Sequence, residues 1–204
     1  MSIVIEKPTL ETVQVCMIGD SPLICHAWSQ KAKQEMLAKQ MKQANKAKEA
    51  KNPEQDFLDS LYPMPDGSPT EYGFPAVAFK SAAVAACRVI DGLKMTEVRA
   101  MFHIDMELVP IFGEPTPRED MVRLGGKTAD IRYRGQFDPW YTVFPIKYNA
   151  DAVSLEQVLN LIEIGGFSNG VGEWRPERNG QFGRFHIANS EEIQALGIDV
   201  QAAA

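Results

Sequence analysis

The sequence has no long apolar run, few cysteines and no spacing typical of a metal site. Its three cysteines, Cys16, Cys25 and Cys87, are far apart and form no C-x-x-C pair, so neither a disulfide framework nor a zinc knuckle is expected. No stretch approaches the roughly 18 uninterrupted apolar residues that cross a bilayer, and Glu6 lies where a signal peptide needs a basic flank. We therefore expect a cytoplasmic protein with reduced, buried thiols, no metal or cofactor, and no membrane contact.

The chain also lacks the positive net charge that is common in proteins that bind polyanions. Its formal charge is −6, whereas phosphate binding is driven mainly by Lys and Arg. The charge is segregated, however, because residues 31–51 contain seven lysines and two glutamates, a local +5 that leaves −11 on the rest. A second basic cluster lies in the C-terminal half and comprises Arg118, Arg123, Lys127, Arg132, Arg134, Lys147, Arg175, Arg178 and Arg184. A basic groove is therefore possible despite the acidic total.

Length and composition predict one globular domain over residues 1–204. The chain is 45% hydrophobic and 24% charged, close to the average for soluble proteins. Residues 30–51 are rich in helix formers but have little to bury, which indicates a solvated helix or a protruding arm. We assign this arm to a helical insertion at about 29–70 and expect the proline-rich residues 52–75 to form a loop that returns to the core. We expect a tail at 188–204 that docks as a short helix or frays.

Alternating apolar residues predict several strands. One covers residues 9–18, and two more, at 129–137 and 140–148, are expected to form a hairpin around Asp138 and Pro139. The second strand of this hairpin carries an aromatic stripe, read either as core packing or as a platform for stacking bases. A capping box at Ser154–Gln157 begins a helix that Gly165 and Gly166 are expected to end. This order predicts an α+β, ferredoxin-like fold: a split β-α-β antiparallel sheet with helices on one face and the other face free to bind.

A glycine-rich segment follows that helix and is the most informative part of the sequence. Six of the fifteen glycines lie within residues 165–183, around Trp174, Arg175 and Arg178 and just before Arg184. Glycines allow close backbone approach, so that amide groups can converge on an anion while guanidinium groups hold it. The spacing fits neither a P-loop nor a dinucleotide-binding fingerprint. A plain connection with glycines at its tight turns is the alternative.

Two segments resemble the signatures of the RAMP superfamily, the RNA-binding subunits and repeat-processing ribonucleases of CRISPR systems. They are residues 73–88 (GFPAVAFKSAAVAACR) and 165–185 (GGFSNGVGEWRPERNGQFGRF). The first resembles the family's proline-containing strand that leads into a lysine- and arginine-containing helix, and the second resembles its glycine-rich loop before the last strand. The resemblance spans about residues 9–187 and implies a ferredoxin-like, RRM-like fold.

The resemblance also implies a role for particular residues. Lys80 and Arg88 would lie where the first helix approaches an RNA backbone. The glycine loop would contribute Gly170, Gly172, Arg175, Arg178 and Arg184, to which we add Trp174 and, on the lysine-rich arm, Lys39, Lys42 and Lys46. The protein would bind single-stranded nucleic acid without cleaving it, with RNA as the first expectation and single-stranded DNA as the alternative. It would do so as a homo-oligomer or filament along the strand, with other effector subunits as further partners. Base pairing by the bound strand, rather than side chains, would supply sequence readout.

Two other classes of function stay open. A metal-independent endoribonuclease would need a histidine as general acid or base, but His26, His103 and His186 are expected to lie apart, the last two on sheet surfaces. An interaction or assembly protein, viral or acting as a decoy, would keep a RAMP surface without nucleic-acid affinity, and the acidic net charge favours this class. Adjacent carboxylates such as Glu119 and Asp120 are expected to be solvated surface residues.

Overall fold

The computed structural model describes residues 5–43, 50–124 and 128–198, which contain both helices and strands. The strands β1–β10 are Leu10–Gly19, Leu23–Ile24, Tyr62–Pro63, Tyr72–Pro75, Phe102–His103, Leu108–Pro110, Pro115–Leu124, Thr128–Phe137, Tyr141–Asn149 and Phe185–Ile187. The helices α1–α6 are Gln30–Gln40, Pro53–Asp59, Ala76–Ala85, Met95–Met101, Leu155–Ser168 and Ser190–Leu196. Short 3-10 turns occupy Ala86–Val89 and Pro176–Arg178.

The central sheet has the strand order β10-β1-β9-β5, and every neighbouring pair is antiparallel. Along the chain, its elements follow the order β1, α3, β5, β9, α5, β10. Strands β10 and β9, the fourth and third of this sheet along the chain, lie on either side of β1, the first. This is the split β-α-β arrangement. The predicted α+β, ferredoxin-like fold is therefore confirmed.

The core lies between this sheet and helices α3 and α5. Val15 on β1 pairs with Phe144 on β9, and both point into the core together with Phe79 of α3, whose ring centroid is 5.5 Å from that of Phe144. The aromatic stripe of β9 is thus core packing and not a stacking platform. Ser154 and Gln157 form the predicted capping box of α5.

Helix α5 continues through the two glycines that were expected to end it. A Cβ atom at Gly165 would lie 2.6 Å from the carbonyl carbon of Ala82 in α3, so a side chain there would push the two helices apart. The glycine has no Cβ and lets the helices touch. It serves packing rather than termination, and α5 ends only at Ser168.

The predicted hairpin around Asp138 and Pro139 is wrong. Strand β8 pairs with β7 and with β2 in a second sheet of order β2-β8-β7, whereas β9 belongs to the central sheet. Strand β7 contains Pro115 and Pro117, residues that disfavour a central strand. It lies at the edge of its sheet, where a missing N–H is tolerated.

Part of the expected 52–75 loop is regular structure. Asn52 caps α2 by accepting from the amide of Gln55, and Pro53 occupies the first helical turn, where its missing N–H costs little. Strands β3, β4 and β6 form a third small sheet of order β3-β4-β6. Proline here begins a helix as well as marking turns.

The described start of the lysine-rich arm is helical. Ser29 caps α1, which ends at Gln40, and its apolar side chains Met36 and Leu37 are exposed. Residues 44–49, which include the predicted contact Lys46, lie outside the described part of the chain. Beyond them, Lys51 contacts Asp130 of β8 at 2.5 Å, which ties the end of the arm to the second sheet.

The second face of the central sheet is not free over its whole area, contrary to the prediction. Helix α6 packs there through Ile193, covering Cys16 on β1 and Val143 on β9. Up to residue 198 the tail thus docks as a short helix, one of the two outcomes considered for residues 188–204, and residues 199–204 lie outside the described part of the chain. All three cysteines are free and buried. Within the described ranges, no helix is long and apolar enough to cross a membrane.

Candidate nucleic-acid interface

Residues 169–184, here called the glycine loop, connect α5 to β10 as a tightly self-bonded segment. The amide of Val171 donates to the carbonyl of Gly183 at 2.9 Å, and that of Phe182 donates to the carbonyl of Trp174 at 3.0 Å. The amide of Glu173 donates to Ile24 on β2 at 3.0 Å. These bonds fix the loop against itself and against the strand that follows β1.

The amide of Gly170 is also used internally, because it donates to the carbonyl of Gly165 at 2.9 Å. Gly170, Gly172 and Gly183 all have positive φ. At Gly183, φ is +67° and a Cβ atom would lie only 1.7 Å from the carbonyl oxygen of Val171. The glycines therefore serve close packing of the loop, and at Gly170 no amide is left for an anion.

Successive side chains of the glycine loop point to two different cavities. Glu173 and Arg175 face a cavity of about 310 Å³, here called the acidic pocket. Trp174 faces a cavity of about 490 Å³, here called the basic groove. The polar side chains of the acidic pocket belong to His26, Tyr62, Ser81, Glu173, Arg175 and Glu177. The basic groove is lined by Ser21, Arg118, Asp120, Trp174, Gly180, Gln181, Phe182 and Arg184.

The basic groove combines two guanidinium groups with two aromatic rings. The guanidinium carbon of Arg118, on β7, lies 4.8 Å from the ring centroid of Phe182. Arg184 donates from Nε to the carbonyl of Gln181 at 3.3 Å. Asp120 is the one carboxylate in this lining. Two positive charges against one negative charge leave the groove with a net positive charge.

Trp174 is held in an unusual conformation at the wall of the groove. Its φ is +55°, a region that bulky residues rarely adopt, and its side chain is 39% exposed. The indole Nε1 donates to Oδ2 of Asp120 at 3.3 Å. The loop therefore fixes a partly exposed indole beside the two arginines at a cost in backbone energy.

A buried arginine links the two cavities. Arg134 on β8 is only 4% exposed, and its guanidinium contacts Asp120 at 3.1 Å and Glu173 at 3.4 Å. Burial alone would raise the pKa of Asp120, but the hydrogen bonds from Arg118 and Arg134 hold that pKa below its ordinary value. Both carboxylates are thus ionised and held by the same cation.

Several of the predicted phosphate-binding cations are neutralised within the protein. Nη2 of Arg175 lies 2.9 Å from Oε2 of Glu177, and Nη1 of Arg88 lies 3.2 Å from its Oε1. Burial favours a higher pKa for Glu177, but the two arginines lower it overall. Within the described ranges, no carboxylate lies within ion-pair distance of Arg178 or Arg184. The uncompensated charge of the loop is therefore on these two residues.

Lys80 does not join the glycine loop. Its ammonium lies 3.1 Å from Nδ1 of His103 and 5.7 Å from the ring centroid of Phe102, both on β5, and burial lowers its pKa. On the arm, Lys39 and Lys42 are exposed. The structure thus gathers Arg88, Gly170, Gly172, Trp174, Arg175, Arg178 and Arg184 at the glycine loop and leaves Lys80, Lys39 and Lys42 elsewhere.

Sequence reasoning missed the contribution of β7 to this site. Asp120, expected at the surface, is only 7% exposed. Arg118 and Asp120 are two residues apart and share one face of β7. The prolines of this segment had argued against a strand there. The sequence signal that could have indicated the strand was the alternate placement of Arg118 and Asp120 after Pro117.

The three histidines lie in three different environments. His26 faces Glu173 at 3.5 Å, His103 contacts Lys80, and His186 bridges Asp20 and Glu192 at 2.6 and 3.1 Å. The described residues contain no group of three or more His, Cys, Asp or Glu side chains that could hold a metal ion. None of the histidines joins another as an acid–base pair.

Comparison with solved structures finds chains of similar structure. No protein-family model matches the sequence, and no curated protein sequence matches it. The structure is similar to the crystal structure of Cmr6 from Pyrococcus furiosus, over 88% of this chain and 99% of that chain, with 10% sequence identity and a TM-score of 0.46.

Proposed function

We propose that this protein binds single-stranded nucleic acid, RNA in preference to DNA, and does not cleave it. The observation that carries the proposal is the basic groove, where Arg118 and Arg184 lie beside the rings of Trp174 and Phe182. Guanidinium groups pair with phosphates, and aromatic faces stack on unpaired bases, so this combination suits a single strand better than a duplex.

The groove also explains how a protein of net charge −6 can bind a polyanion. Its one carboxylate, Asp120, already contacts Arg118 at 2.8 Å and Arg134 at 3.1 Å. The guanidinium of Arg184 is left to meet a phosphate, and Arg178, exposed nearby on the same loop, adds a second contact. Arg88 and Arg175, which pair with Glu177, hold the shape of the loop instead.

Within this proposal the protein is a RAMP-like subunit, as the two signature-like segments suggest. Residues 1–204 form one domain, in which the insertion at about 29–70 and its exposed Lys39 and Lys42 contact the strand or the next copy along it. Such an arrangement would assemble copies side by side, with other subunits of a CRISPR-effector-like ribonucleoprotein as further partners, in the cytoplasm.

The test is a titration of labelled single-stranded RNA with Arg184→Ala and Trp174→Ala at several salt concentrations. Each lost phosphate contact is expected to reduce the slope of log K against log salt by about 0.7 for a single strand. Loss of a stacking residue is expected to cost about 1–3 kcal/mol of binding without changing that slope.

Arg99→Ala, a matched control on α4, removes an exposed arginine far along the chain from the groove and is expected to leave the affinity nearly unchanged. If Arg184→Ala binds like the unmodified protein at every salt concentration, the groove is not the binding site. Hairpin RNA incubated with the protein and EDTA is expected to stay intact. Cleavage without metal would instead support the alternative function, a metal-independent endoribonuclease.

A second candidate, an interaction or assembly protein without nucleic-acid affinity, is favoured by one observation. Glu177 neutralises both Arg88 and Arg175, the cations that the family resemblance assigned to phosphate binding. The ratio of absorbance at nucleic-acid and protein wavelengths separates the candidates: a purified protein free of nucleic acid that also fails the titration would favour the interaction role.

A further inference from the structure

The acidic pocket lies on the opposite side of the glycine loop from the basic groove and has different chemistry. Its volume of about 310 Å³ is near the lower limit for small-molecule sites, roughly 300–1,000 Å³. Phe74, Pro75 and Val171 give it apolar walls, whereas Glu173 and Arg175 give it a polar edge. A pocket with apolar walls and one polar edge fits a flat heterocycle better than a phosphate.

We propose that the acidic pocket binds a guanine base of the strand held in the basic groove, with the Glu173 carboxylate accepting from the N1–H and N2–H₂ donors of guanine. The inference rests on the proposed function, since the base belongs to the same strand. It adds readout by side chains, which the sequence did not predict.

The carboxylate selects guanine through its hydrogen-bonding character. An ionised carboxylate only accepts hydrogen bonds, so a base that pairs with both of its oxygens must offer two neighbouring donors. Guanine does so on its Watson–Crick edge, whereas adenine, cytosine and uracil each place an acceptor beside their donor. Unpaired bases are commonly read on this edge by single-strand-binding proteins.

Glu173 is ionised and has acceptor capacity to spare. Its contacts with His26 at 3.5 Å and Arg134 at 3.4 Å are long, and a carboxylate has about four lone-pair sites. The hydrogen bond from His26 lowers the pKa of Glu173 against the opposing effect of burial, with further lowering by Arg134. The carboxylate is therefore charged at neutral pH.

Arg175 supplies the matching donor for the O6 atom of guanine. Its Nε and Nη2 donate to Glu177 and its Nη1 donates to the carbonyl of Gly172. A guanidinium has five N–H groups, so two remain. Glu173 and Arg175 alternate with Trp174 along the loop, which puts the base-reading groups and the stacking ring on opposite sides of one short segment.

The experiment compares labelled oligouridines that carry a single central guanosine, inosine or adenosine. Inosine lacks the N2 amino group and keeps everything else, so the guanosine-to-inosine ratio isolates the N2–H₂ part of the contact with Glu173. We expect the protein to prefer guanosine over adenosine by about 5- to 150-fold, the range of a good bidentate contact, and over inosine by a smaller factor.

Two variants test the pocket by independent routes. Glu173→Gln replaces the acceptor-only carboxylate and is expected to reduce the preference for guanosine over inosine to near unity, whereas Glu119→Gln, an exposed control on β7, is expected to keep it. Ala78→Leu fills the pocket from α3 without changing charge and is expected to abolish the same preference. Val77→Leu, on the exposed side of that helix, is its control.

The outcomes separate this inference from the proposed function. If all three oligonucleotides bind equally and binding still depends on Arg184, the guanine pocket is overturned while the basic groove stands. If Ala78→Leu folds, as judged by its unfolding midpoint, and keeps the guanosine preference, the pocket is again overturned. If none of the oligonucleotides binds at low salt, both proposals fall.

Discussion

Nη2 of Arg175 lies 2.9 Å from Oε2 of Glu177, two residues further along the same loop. The other oxygen of that carboxylate contacts Arg88, at the end of the 3-10 turn that follows α3. One glutamate therefore neutralises two arginines that would otherwise attract phosphate.

Glu177→Gln is expected to strengthen nucleic-acid binding. The substitution removes one negative charge and frees the guanidinium groups of Arg88 and Arg175, so the slope of log K against log salt should steepen by up to about 1.4 for two new phosphate contacts. Single-strand titrations at several salt concentrations measure this. Glu114→Gln, an exposed carboxylate before β7, is the control, and weaker binding by Glu177→Gln would show that this ion pair positions the loop for binding.

Gly183→Ala is expected to destabilise the protein and to weaken binding at the groove. A left-handed conformation costs an alanine about 1–2 kcal/mol, and here the new Cβ atom would also meet the carbonyl oxygen of Val171. Gly197 has a similar φ of +64° with no atom within 4 Å of the added Cβ. Gly197→Ala therefore isolates the conformational cost, and urea unfolding of the two variants should show a clearly larger loss at Gly183. Equal losses would mean that the loop relaxes without cost.

Arg134→Met is expected to lower the free energy of unfolding by up to about 3–5 kcal/mol, because it removes the buried cation that Asp120 and Glu173 share and leaves Asp120 with Arg118 alone. The double variant Arg134→Met with Asp120→Asn should recover part of that loss. The neighbouring Arg132 pairs with Asp130 at 3.1 Å in a more exposed position, so Arg132→Met should cost less than about 1 kcal/mol. If the double variant is no more stable than Arg134→Met, the two residues are not energetically coupled.

His186 gives the protein a pH-dependent contact between β10 and α6. Burial disfavours its charged form, but hydrogen bonds with Asp20 and Glu192 outweigh this effect and raise its pKa above the ordinary 6.5. A raised pKa means that the folded state binds the proton more tightly than the unfolded state. The stabilisation is therefore complete below about pH 6.5 and is lost as the pH rises through the higher folded-state pKa.

We accordingly expect His186→Gln to be less stable than the unmodified protein at pH 6, by up to about 1 kcal/mol for this partly exposed group, and nearly as stable at pH 9. Urea unfolding at the two pH values measures the difference, and an NMR titration of the imidazole gives the pKa directly. His103→Gln is the control. A stability difference that is the same at both pH values would show that the imidazole acts by packing alone.

The fold was largely predictable from the sequence, because its central elements have strong local patterns. The alternation in β1 and β9 and the capping box at Ser154 were sufficient to indicate the ferredoxin-like core. The pairing of β8 was not predictable, since proximity along the chain favoured β9, whereas the second sheet depends on contacts with β7 and β2. Local signals do not determine such distant partners.

The candidate site was predictable only in part. The glycine and arginine content marked the loop, but not that Glu177 would neutralise Arg88 and Arg175. The roles of Arg118 and Asp120 depend on β7 lying beside the loop, which no pattern within residues 165–185 indicates. Ion pairs between distant segments are set by tertiary structure, and the sequence shows only that the charges exist.

The shared contact of Arg134 with Asp120 and Glu173 has a consequence for any attempt to redesign this protein. A substitution that changes the charge in one cavity will also shift Arg134, which contacts the carboxylate of the other cavity. Substitutions selected separately on the two sides of the loop therefore cannot simply be combined. Libraries would have to vary both carboxylates at once, with Arg134 held constant.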